Sequence, residues 1–93
     1  MSLPTVSFDE GLDHFFLSGT GSVIFFKNSG DILVGRPFPI FGVIDKSSVI
    51  SLQKKGANIH LLWLLSGTKL DTILGNAPED CASWLEKINA LYK

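Results

Sequence analysis

Cysteine is nearly missing from this 93-residue chain, which has one thiol, Cys81. A lone cysteine excludes an intrachain disulfide framework and suits a reducing compartment, so a cytoplasmic location is expected. Charge is scarce as well, at 18% of residues with a formal net charge of −1. Nucleic-acid-binding domains are usually strongly basic, so no nucleic-acid partner is expected. Long apolar runs are also missing: "IHLLWLL" at 59–65 falls far short of the roughly 20 residues a membrane-spanning helix needs. No transmembrane segment is expected. The opening "MSLPTVSFDE" has neither the basic start nor the apolar stretch of a secretory signal.

Catalytic and metal-binding patterns are absent too. His14 and His60 lack the close Cys or His spacing of a zinc site. "GTGS" at 19–22 is followed by no Lys-Ser/Thr and leads into a strand, so it does not read as a phosphate loop. No G-x-S-x-G elbow occurs, and no two acids stand at a spacing suited to acid–base work. Cys81 falls on an apolar helical stripe, where a thiol packs and stays inert. The chain is therefore expected to be non-enzymatic, with no cofactor and no metal.

What the chain has is apolar material. It is 45% apolar, and its mean hydropathy of +0.28 is high for so small a chain. Small domains leave much of their surface exposed, which places some of this material at an interface. Charge is unevenly spread: residues 1–26 carry Asp9, Glu10 and Asp13 with no Lys or Arg, while 46–69 carry Lys46, Lys54, Lys55 and Lys69 with no acid. No repeat, low-complexity segment or linker appears, and the length suits one domain, 1–93.

Local patterns predict the elements. "SFDE" at 7–10 matches a capping box, predicting a short helix over about 8–16 with Phe8, Leu12, Phe15 and Phe16 on one side, against the cost of Gly11 within it. Strands occupy about 22–74. "SVIFFK" and "DILVGR" form a hairpin over 22–36 through the turn "NSGD", and Pro37 and Pro39 make the next stretch an edge or crossing. Strands resume over 40–45, in "SSVISLQ", in the apolar "NIHLLWLLS" as a central strand, and in "KLDTILG", with Leu70, Thr72 and Leu74 on one face. A last helix over about 77–92 starts near Pro78, with Glu79 and Asp80 at its positive end. It carries Cys81, Trp84, Leu85, Ile88 and Leu91 on one stripe.

Strands that end in a helix with a central Trp resemble a pleckstrin homology (PH) domain, mainly over 57–93: "NIHLLWLLSGTKLDTILGNAPEDCASWLEKINALYK". The resemblance implies an α+β fold: a mostly antiparallel bent sheet or partly open barrel, with a C-terminal capping helix whose Trp84 plugs the core and whose Ile88 follows one turn on. The family has seven strands where about six are predicted here, and the 8–16 helix has no counterpart in it. Roadblock, longin or profilin-like folds are the alternatives, as a regulatory or accessory subunit of a larger complex.

The leading expectation is a PH-like interaction module that binds a protein partner, or forms a homodimer, through an exposed apolar surface. Phe38, Ile40 and Phe41 are its candidate contact residues, in a Pro-flanked stretch suited to strand addition. The alternative is weak phosphoinositide or anionic-membrane binding, which would make the chain membrane-peripheral. The family grips inositol phosphates with basic residues of its first hairpin, which implies Lys27 and Arg36, joined by Lys54 and Lys55. A phosphate site needs several convergent donors, and Asp31 opposes this pair, so solvated charge is the favoured reading of these residues.

Overall fold

The computed structural model describes residues 3–19, 22–34 and 42–93. Their strands form two antiparallel meanders. The first sheet has five strands in chain order: β1 (Ser7–Glu10), β2 (His14–Gly19), β3 (Ser22–Lys27), β4 (Ile32–Val34) and β5 (Gly42–Ile44). A 3-10 turn, Lys46–Ser48, leads to the second sheet: β6 (Val49–Lys55), β7 (Asn58–Leu65) and β8 (Thr68–Asn76). The helix α1 (Cys81–Asn89) follows and tightens into a 3-10 turn at Ala90–Tyr92.

The helix expected over 8–16 is a β-hairpin. Gly11 opens its turn and donates its N–H to the His14 carbonyl at 2.8 Å. A Cβ on Gly11 would collide with the His14 imidazole. Glycine is costly inside a helix but at ease in a turn. Beyond the turn the pattern has period two: Phe15 and Leu17 are buried, while Phe16 is only half-buried. Leu12, assigned to the apolar side of a helix, is 96% exposed at the turn. The capping-box pattern was a local signal, and pairing of six β2 residues with β3 overrides it.

The C-terminal helix also starts later than predicted. Asn76 and Ala77 are held in extended backbone: Asn76 donates to Pro4 O at 2.9 Å, and Ala77 donates to Ala57 O at 2.8 Å. Glu79 and Asp80 therefore precede the helix instead of forming its first turn. The stripe itself is as expected, with Cys81, Trp84 and Ile88 buried and Leu85 and Leu91 packed against the core.

Of the hairpin predicted over 22–36, β3 and β4 pair antiparallel and positions 35–36 lie outside the described residues; the apolar strand is β7, central in its sheet. Pro37 and Pro39 lie outside the described residues.

One core fills the space between the sheets and the helix. Leu17, Phe26, Ile32, Leu52, Ile59, Leu61, Trp63, Trp84 and Ile88 are each less than 2% exposed or close to it. Phe8 stacks on Trp84 with ring centroids 5.1 Å apart and on Phe15 at 5.7 Å, which ties β1 to the helix. Asn89 fixes the helix to the edge of β6: its amide nitrogen donates to Leu52 O at 2.7 Å, and its oxygen accepts from Leu52 N at 2.8 Å. The side-chain amide thus does for β6 what a neighbouring strand would do.

The N-terminal segment links the sheets. Val6 donates to Asn76 O at 2.8 Å, and Thr5 and Asn76 form a parallel bridge. Gly75 makes the approach possible, because a Cβ there would lie 2.6 Å from Pro4 O. Among the described residues, no helix is long and apolar enough to cross a membrane.

Candidate interaction face

In a strand, alternate residues point to opposite faces. The inner set in the first sheet is Phe15, Leu17, Ile24, Phe26, Ile32, Val34 and Ile44, all buried. The outer set is also largely apolar. Cross-strand register aligns Asp9, Phe16, Phe25, Leu33 and Val43 in one row across all five strands. Val43 is 57% exposed, Val23 55% and Leu33 39%.

The row has an aromatic centre. Phe16 and Phe25 meet edge to face at 4.9 Å, His14 stacks on Phe25 at 4.4 Å, and His14 meets Phe16 edge-on at 4.5 Å. Such pairs contribute about 0.5–1.5 kcal/mol beyond area burial, so the cluster holds its shape without a covering layer. Asp9 and Lys27 sit at the rim, both exposed. Neither has an ion-pair partner among the described residues, whereas Glu10 pairs with Lys87 at 3.1 Å.

The outer face of the second sheet is built differently. Ile50 and Ile73 are exposed on it, but Leu62 at its centre is only 5% exposed. Leu62 lies beside Asp71 in register, and Asp71 gathers a lysine and a histidine. Lys55 Nζ donates to Asp71 Oδ2 at 2.7 Å, and His60 Nδ1 lies 2.6 Å from Oδ1. The Lys55 hydrogen bond first, and the His60 contact second, hold the Asp71 carboxyl below its ordinary value of 3.8. This polar cluster joins β6, β7 and β8.

Of the residues singled out in the sequence, Phe38, Ile40, Phe41 and Arg36 lie outside the described residues. Lys27 ends β3, and Lys54 and Lys55 end β6, on the other sheet. The Lys55 ammonium is committed to Asp71. The three described lysines are therefore not one cluster built around a common point.

The row Phe16–Phe25–Leu33–Val43 was not recognised as a unit in the sequence. "HFFLS" and "VIFFK" are apolar on both faces, so alternation leaves no visible mark, and only the pairing register aligns the outer residues. The paired phenylalanines of β2 and β3 were the available signal. No family model matches the chain, and neither a curated protein nor a solved structure matches it.

Proposed function

We propose that the chain is a non-catalytic, PH-like interaction module that docks a protein partner on the outer face of its five-stranded sheet. The observation that carries this reading is the row of half-buried Phe16 and Phe25 and exposed Leu33 and Val43, with His14 packed on both phenylalanines. Contiguous apolar surface of this kind is a partner surface far more often than scattered single residues are. The PH-like part rests on two antiparallel meanders followed by a helix, on Trp84 buried against Phe8, and on Ile88 buried one turn later. The strand number departs from the family, since the described residues form eight strands, five of them in the first sheet, where the family has seven.

The anionic-membrane reading has weaker support. Lys27 and Lys54–Lys55 stand on different sheets, and Asp71 neutralises part of the second group. Non-enzymatic action in the cytoplasm remains part of the proposal and rests on the sequence.

Binding of an apolar fluorescent dye tests the reading. The wild-type protein binds the dye, and the Leu33→Lys/Val43→Lys variant loses that binding while its melting midpoint stays within about 3 °C, as expected for surface positions. A variant that melts far lower would show that the row belongs to the folding core, and the reading would fall.

A further inference from the structure

We infer that the partner taken by this face is a second copy of the chain, docked sheet against sheet about a twofold axis. This deepens the reading above and rests on it. A twofold contact uses the same patch on both molecules, so the patch must complement itself. An apolar aromatic centre meets that condition, and the rim meets it through charge.

Asp9 and Lys27 are exposed, opposite in sign and without ion-pair partners among the described residues. Asp9 stands in the Phe16 row on β1. Lys27 stands two residues beyond Phe25 on β3, paired in register with His14. With strands about 4.8 Å apart and a rise of about 3.4 Å per residue, their backbones lie roughly 12 Å apart. No ion pair joins the two within one chain. The midpoint between them falls on β2 between Phe16 and His14, inside the aromatic cluster. A twofold axis lying in the interface above that midpoint, at right angles to the line from Asp9 to Lys27, exchanges the two positions. Asp9 of each copy then faces the second copy's Lys27, and two symmetric ion pairs bracket the aromatic contact.

The face is small. The strands hold four, six, six, three and three residues, and at about 4.8 Å by 3.4 Å per residue the footprint is on the order of 350 Å² per partner, against about 800 Å² for a standard stable interface. The association is therefore weak and concentration-dependent. The charge pairs set orientation more than affinity.

Sedimentation velocity at low salt, from about 10 μM to about 1 mM, tests the inference in the range expected for a small interface. The wild-type protein should gain mass with concentration. Asp9→Lys and Lys27→Asp should each weaken association by about 3- to 10-fold, and the Asp9→Lys/Lys27→Asp double variant should restore it, because the swap regenerates the same pairs. A wild-type monomer throughout the range overturns the inference. So does a double variant no better associated than the singles, or single variants that associate as the wild type does. In each case, dye binding at Leu33 and Val43 shows whether the docking reading still stands with a different partner.

Discussion

The two outer faces of this molecule carry similar aliphatic residues and treat them in opposite ways. On the three-stranded sheet, Leu62 is 5% exposed beside Asp71 in register, and Asp71 binds Lys55 and contacts His60 within the chain. On the five-stranded sheet, among the described residues, no ion pair adjoins Phe16, Phe25, Leu33 and Val43, and Asp9 and Lys27 at the rim have no ion-pair partner. Exposed apolar area alone would not separate the faces, since Ile50 and Ile73 are exposed on the second. The separating feature is whether the polar groups around the apolar residues are already satisfied. A face whose charges are paired internally has less to gain from a partner.

The comparison presumes that both sheets lean on one core, and the largest expected effect tests that premise. Trp84→Ala removes a side chain 2% exposed and should cost about 3–5 kcal/mol in chemical denaturation. Trp84→Phe should cost much less, because the indole N–H is buried without a hydrogen-bond partner among the described residues and its loss removes a desolvation penalty. If Trp84→Ala unfolded only one sheet, seen as two separate transitions, the shared core would be refuted.

Next in size is the contrast between the faces themselves. Leu62→Ala should cost about 2–3 kcal/mol, as for a buried leucine, and Leu33→Ala about 1 kcal/mol or less, as for a surface position. Equal costs would erase the distinction drawn between the two sheets.

The smallest effect concerns pH. The Asp71 carboxyl is held below its ordinary 3.8 in the folded protein, by Lys55 first and His60 second. A depressed carboxyl contributes stability above its unfolded pKa, and loses it as pH falls through the lower folded value. The stability difference between wild type and Asp71→Asn should therefore be greatest above pH 3.8 and shrink below it. Asp71 and Lys55 are exposed, so the difference should be small and should fall with added salt. A difference that grew as pH dropped would contradict the assigned cluster.

The sequence disclosed most where period and turn chemistry agreed. "SVIFFK" became β3 and the "ILV" of "DILVGR" became β4, with Gly30 at φ 96° in the turn. The stripe of Trp84 and Ile88 became the buried side of α1. The sequence misled at 7–19, where a capping-box pattern competed with strand pairing that only the distant partner "VIFFK" could reveal. It was silent about the interaction face, because strands apolar on both sides show no alternation. It also gave no sign that Asn89 would close the β6 edge through both hydrogen bonds to Leu52. A lone asparagine near a helix end reads as a surface residue until the packing is known.

The most direct test of the central claim is a dilution series followed by amide NMR, residue by residue. The account predicts shifts that grow with concentration at Asp9, Phe16, Phe25, Lys27, Leu33 and Val43 and remain flat at Ile50, Leu62 and Ile73. Shifts centred on the three-stranded sheet, or none anywhere up to the highest concentration, would contradict it.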